Sequence, residues 1–157
     1  MRRSQGSKLQ LHPQEEAIIA SVDIPRLIIR AAMEKKAEDL AILDVNGRTS
    51  YCDLFIICNG ANHRQVKAIA ENVLETLRKE AGARPVGVEG LESGRWVLVD
   101  YGDVVLHVFE STLRGYYDLD GLWMDAPRLS PESLGMREIE AVETKGAAPD
   151  GVPVLSP

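Results

Sequence analysis

Gly94-Arg95-Trp96-Val97-Leu98-Val99-Asp100-Tyr101-Gly102-Asp103-Val104-Val105-Leu106-His107-Val108-Phe109 decides the fold. It contains two apolar, β-branched runs joined by a short turn that includes Gly102, the pattern of a β-hairpin. Nearly every residue in both runs is apolar, without in/out alternation. Strands of that kind are covered on both faces, so the hairpin belongs inside a sheet with helices packed on it. Two registers compete. A two-residue Tyr101-Gly102 loop places Trp96 opposite His107 but requires positive φ at a bulky tyrosine. A type I turn at Asp100-Tyr101 with Gly102 as a left-handed bulge residue avoids that cost and is preferred. It puts Trp96, Leu98, Val104 and Leu106 on one face and Val97, Val99, Val105, His107 and Phe109 on the other.

Working outward, Leu40–Val45 and Asp53–Cys58 read as two further strands. Their connection is too short for a parallel crossover, so they run antiparallel. Asn59-Gly60-Ala61 reads as a bend. Asn62 caps the next helix, with Gln65 three residues on as in a capping box. Val66, Ile69, Ala70, Val73, Leu74 and Leu77 recur at helical spacing, which predicts an amphipathic helix to about Ala81, ended by Gly82. Arg84–Glu89 is a short strand whose Pro85 and Gly87 place it at a sheet edge or strand start.

Toward the N-terminus, Pro13–Ala20 reads as a short helix. Asp23-Ile24-Pro25 opens a second, with Asp23 as N-cap and Lys35-Lys36 in the last turn. Toward the C-terminus, Ser111–Asp120 reads as a short helix capped by Ser111 or Thr112, and Leu122-Trp123-Met124 as an apolar plug. The fold class is α/β, a mixed sheet of about five strands with packed helices. The domain reading is a flexible extension over residues 1–22 with a possible short helix, an α/β domain over 23–126, and a disordered acidic tail over 127–157. A transient helix at 130–141 is allowed for in that tail.

The totals fit one domain plus tails: 157 residues, 45% hydrophobic, net charge −6. Charge is uneven. Residues 1–117 carry 15 basic and 16 acidic side chains, whereas residues 118–157 carry 3 and 8. A nearly neutral body lacks the basic surplus that phosphate-backbone binding demands, so little direct RNA contact is expected. The sequence contains no apolar run of membrane-spanning length and no secretory signal core, so a cytoplasmic protein without membrane attachment is expected. Cys52 and Cys58 read as reduced, structural thiols.

The ordered series of motifs resembles the ribosomal silencing factor, or Iojap-like, family over residues 24–126. It comprises Lys35-Lys36-Ala37-Glu38-Asp39, then Asp53–Cys58 followed by Gly60, and Arg64-Gln65-Val66. Gly87-Val88-Glu89-Gly90, Trp96–Asp103, His107-Val108-Phe109, Arg114 with Tyr117, and Leu122-Trp123 complete it. Asn59 and Asn62 depart from the small hydroxyl residues expected near the long helix. The resemblance implies a nucleotidyltransferase-like topology and a homodimer. It also implies binding to the large ribosomal subunit through its fourteenth protein, at the face where the small subunit joins, with repression of translation as the result. A dimeric assembly module or ribosome-biogenesis factor is the alternative.

For partner binding, the candidates are Trp96 as anchor, Asp100, Tyr101 and Asp103 at the hairpin tip, and Arg64, Lys67, Arg114 and Tyr117 as flanking residues. Each has a plainer reading: Trp96 as a core residue, the tip as a solvated turn, and Arg114 as a fold-holding partner of Asp53 or another carboxylate. His107 reads as a hydrogen-bonded structural histidine. Neither catalysis, metal nor cofactor is expected. Gly60-Ala61 lacks the hydroxyl of a triphosphate cradle, and Asp118-Leu119-Asp120 follows the last predicted strand, on a helix where i and i+2 side chains diverge.

Overall fold

The computed structural model describes residues 13–136, with side chains from residue 24 onward. Its elements are α1 (Pro13–Glu34), β1 (Glu38–Asp44), β2 (Leu54–Gly60), α2 (His63–Ala81), β3 (Gly87–Glu89), β4 (Trp96–Asp100), β5 (Val104–Glu110), α3 (Ser111–Tyr117), α4 (Leu119–Leu122) and β6 (Arg128–Leu129), then a 3-10 turn at Pro131–Leu134. The strands form one sheet in the order β3-β4-β5-β2-β1-β6. Its central pair, β2 and β5, is parallel, and the other neighbours are antiparallel.

The apolar strands do have two covered faces. On one lie α1 and α2. Ile28, Ile29, Ala31 and Ala32 of α1 and Val66, Ile69, Ala70, Val73 and Leu77 of α2 pack on Ile56, Val97, Val99, Leu106 and Val108. The helices are joined by an Arg30–Glu80 ion pair and by a bond from Asn72 Nδ2 to the Ala31 carbonyl. The other face is thinner. Leu43, Phe55, Ile57, Val105 and Phe109 form its core, and Trp96, Leu98, Leu113, Leu119 and Trp123 pack around them half-buried. Burying each large side chain contributes roughly 1.5–3 kcal/mol, so the two-helix face supplies most of the stability.

The hairpin register differs from both readings of the sequence. Trp96 pairs with Phe109, Leu98 with His107 and Asp100 with Val105. The loop is therefore Gly102-Asp103, closed by the bond from Tyr101 N to the Val104 carbonyl. Gly102 has φ +91° at the first loop position, where a type II′ turn favours glycine. Tyrosine needs no strained conformation, which removes the argument for the bulge. The shift regroups the side chains, because strand faces alternate at every residue. Trp96, Leu98, Val105, His107 and Phe109 share the thin face, and Val97, Val99, Val104, Leu106 and Val108 face the two helices.

Other elements also move. Residues 13–34 form one helix that passes through Pro25, so Asp23 is not an N-cap. The helix ends at Glu34, leaving Lys35 and Lys36 beyond it, the latter at φ +66°. Asn59 and Gly60 lie within β2 rather than in a bend. Asn62 and Gly82 do cap α2. At α3 the N-cap is Glu110, without a side-chain cap bond, and the helix breaks at Asp118, which adopts φ +51° and caps α4. Leu122 and Met124 are exposed; only Trp123 of that trio packs inward, edge-on to Phe55 at 5.4 Å.

The sheet has six strands rather than five, because β6 pairs Leu129 with Ile42. Arg128–Met136, assigned by composition to the tail, thus belongs to the folded unit, and Met136 is buried. The N-terminal extension before Pro13 and the acidic tail from 137 onward lie outside the described residues. Among the described residues, no helix is long and apolar enough to cross a membrane.

Candidate docking face

The thin face carries the aromatic candidates. Trp96 opens β4, and its indole lies against Phe109 at 4.8 Å with ring planes 27° apart. Tyr117, from α3, meets the indole at 4.7 Å. The indole Nε1 donates to His107 Nδ1 at 3.1 Å. His107 is 5% exposed and its ring stands edge-on to Phe55 at 5.1 Å. Because Nδ1 accepts, the ring proton of the neutral imidazole is on Nε2, which is buried and has no hydrogen-bond partner among the described residues. Burial pushes the His107 imidazole down to about 4, so it is neutral near pH 7.

Trp96 is only half-buried, and the tyrosines beside it are open to solvent: Tyr117 is 47% exposed and Tyr116 79%. A half-buried indole packed against two rings and continued by exposed phenol rings has the residue types and partial exposure common to interface anchors. Tyr116 and the His107 contact are absent from the sequence-derived set. The first falls at the exposed end of a helix of uncertain pitch, and the second depends on the hairpin register.

The other candidates divide between the two ends of the sheet. Lys67 joins the Trp96 end. A methyl group placed on Gly94, two residues before Trp96, would stand 3.2 Å from Lys67 Cε and 2.8 Å from the His63 carbonyl. Arg64 lies one turn earlier on α2 and is exposed. Asp100 ends β4, four residue steps or ~13 Å from Trp96, and Tyr101 and Asp103 lie beyond it at the turn. Asp100 Oδ1 accepts from Gly102 N at 2.7 Å, which shapes the turn. Tyr101 packs on the two-helix core with its hydroxyl buried and unpartnered among the described residues, and burial raises that phenol to about 12. Asp103 is exposed, and its carbonyl accepts from Asp53 N and Leu54 N. The tip and Trp96 are not one compact patch.

Arg114 holds the fold. Its Nε and Nη2 donate to Asp120 Oδ2 at 3.2 and 2.9 Å, and Nη1 donates to Asn59 Oδ1 at 3.0 Å and to the Asp39 carbonyl. Asn59 Nδ2 in turn donates to Asp39 Oδ2. One guanidinium therefore ties α3 and α4 to the irregular start of β1, where Asp39 adopts φ +53°. Its carboxylate partner is Asp120; Asp53 instead accepts from Asn46.

The groups a phosphoryl-transfer site would need are already occupied. At the start of α2, Ala61 N donates to Gln65 Oε1 and Gln65 N to Asn62 Oδ1. Asp118 Oδ1 accepts from Gly121 N, and Asp120 binds Arg114. Among the described residues, no group of three His, Cys, Asp or Glu side chains could hold a metal ion. Cys52 and Cys58 are buried, with thiols raised by that burial to about 11 and about 12.

A family model described as "Ribosomal silencing factor during starvation" matches residues 19–151. The ribosomal silencing factor of Bacillus subtilis is 42% identical over 115 residues, 73% of this chain and 96% of the relative. That of Chromobacterium violaceum is 48% identical over 101 residues, 64% of this chain and 82% of the relative. A crystal structure of a Chromobacterium violaceum protein superposes with a TM-score of 0.62 at 48% identity, covering 64% of this chain and 83% of that one. This chain belongs to the ribosomal silencing factor family.

Proposed function

We propose that this protein binds the large ribosomal subunit through the Trp96 face, blocks joining of the small subunit and so represses translation. The observation that carries the reading is Trp96 itself, half-buried, held by Phe109, Tyr117 and His107, and continued by two exposed tyrosines. The partner surface is a ribosomal protein, the fourteenth of the large subunit, at the subunit-joining face. Arg64 and Lys67, on α2 across the sheet from the anchor but at the same end, steer approach, which affects on-rate more than affinity. Asp100, Tyr101 and Asp103 give a second, weaker point of contact. Arg114 serves docking indirectly by holding the helix that carries Tyr117. Direct contact with RNA is minor, and the place of action is the cytoplasm. The functional unit is the α/β domain, extended before residue 23 by α1, which begins at Pro13, and past 126 by β6. Its topology is nucleotidyltransferase-like, with the helix-start N–H groups and the paired aspartates committed to the fold rather than to catalysis.

The test is subunit joining. Isolated small and large subunits are mixed at joining magnesium concentration, with and without prior addition of this protein to the large subunit, and resolved on a sucrose gradient. The reading requires a smaller joined peak when the protein is added first. An unchanged peak, with the protein sedimenting alone, contradicts it.

A second reading, self-association, is favoured by the exposure of Tyr116, Leu122 and Met124 within nine residues. A homodimer through this patch would cover Tyr117 and compete with the ribosome. Affinity for large subunits would then fall as protein concentration crosses the dimer transition; constant affinity opposes shared use of the patch.

A further inference from the structure

We propose that His107 is the positioning residue for docking through Trp96: its Nδ1 accepts the indole N–H and fixes the one orientation of the ring that meets the large subunit. This rests on the docking reading above. Stacking on Phe109 and the tilted contact with Tyr117 limit the plane of the indole but are indifferent to which edge carries the N–H, because a flipped ring still presents a π face. The hydrogen bond is not indifferent. Tryptophan has a single donor and no acceptor, so only one flip satisfies both Nε1 and Nδ1.

The β4–β5 pairing makes this contact possible. Trp96 opposes Phe109, and His107 opposes Leu98, so the histidine is the diagonal neighbour on the same face. The imidazole is itself fixed, edge-on to Phe55 at 85° and nearly parallel to Phe109 at 13°. Its Nε2–H is buried without an acceptor among the described residues, a cost that leucine in the same place would not carry. The position bears that cost for a group whose side-chain hydrogen bond goes to Trp96. Removing the acceptor would leave the indole N–H unpaired at the half-buried site, and the ring would turn its donor toward water.

Two variants separate positioning from bulk. In His107→Asn, Oδ1 places an acceptor at the same distance along the side chain as Nδ1. His107→Leu keeps apolar volume and removes the acceptor. Each is made in the full chain. Each is examined for indole N–H exchange by 15N NMR, with Trp123→Phe assigning the two indole resonances, and for co-sedimentation with large subunits. His107→Leu is expected to speed Trp96 N–H exchange and weaken co-sedimentation by about tenfold each, the scale of one hydrogen bond. The Trp123 resonance stays in place, and His107→Asn restores both readouts. If a folded His107→Leu protein co-sediments like wild type, the positioning role is overturned and the docking reading stands. If wild type does not co-sediment, the docking reading falls and the positioning role with it. If His107→Leu does not fold, two readouts decide. The wild-type tautomer must carry its proton on Nε2, and a proton on Nδ1 overturns the proposal; His107→Asn must keep the Trp96 N–H protected and the binding intact.

Discussion

Trp96 and His107, eleven residues apart in sequence, share one face of the β4–β5 hairpin and are joined by a 3.1 Å bond from the indole Nε1 to the imidazole Nδ1. A shift of register by one residue would put them on opposite faces. The most accessible aromatic of the sheet and its most buried ionisable ring are therefore linked by the turn at Gly102-Asp103.

Burial of His107 makes stability depend on pH. Burial holds the folded His107 at about 4, below the ordinary 6.5. The unfolded chain therefore takes up the proton first, and protonation favours unfolding. The contribution of neutral His107 is complete above pH 6.5, declines as pH falls through the window to about 4, and amounts to about 3 kcal/mol. Carboxylates held low by cations, such as Glu80 beside Arg30, add losses only below their ordinary 4.5. Urea unfolding at pH 7.5, 6 and 5 checks this: the midpoint should fall with pH in wild type, and His107→Asn should flatten the slope.

Arg114→Ala should destabilise the protein by roughly 3 kcal/mol, because it strands Asp120, Asn59 Oδ1 and the Asp39 carbonyl together. Arg114→Lys should recover only part of this, since an ammonium cannot reproduce the planar fork. Thermal melts of both variants give the comparison. A loss in the alanine variant below about 0.5 kcal/mol, the scale of an exposed ion pair, would show that the network is ornamental.

Native Cys52 and Cys58 should resist alkylation at pH 8. Both thiols are buried and raised to about 11 and about 12, so almost no thiolate exists to react. Mass spectrometry after iodoacetamide should find neither residue modified in the folded protein and both modified in urea. Rapid native labelling would contradict the packing of β2 and of the loop before it.

Much of the architecture was legible because periodicity is a direct record of burial. The helix from His63 to Ala81, its Asn62 and Gly82 caps, the antiparallel β1–β2 pair and the covered hairpin all follow from apolar spacing and end signals. The hairpin register was not, because strands apolar on both faces carry no alternation to fix it, and the turn alone had to decide. β6 and Met136 were missed because a two-residue strand in a Pro- and Glu-containing segment has no pattern of its own; it is made by the open edge of β1. The long α1 overrode a proline that usually marks a boundary. Within the site, Trp96 was legible by its residue type and neighbours, whereas Arg114 could not be assigned between surface and latch until α3, α4 and β1 were brought together.

The central claim is that Trp96 anchors this protein to the large subunit. The direct measurement is co-sedimentation of purified large subunits with wild type and with Trp96→Ala, both checked for folding by circular dichroism. Wild type should pellet with the subunit. The folded variant should lose roughly 2–4 kcal/mol of binding and stay in the supernatant. Equal pelleting of the two proteins would show that the face carrying Trp96 is not the one that docks.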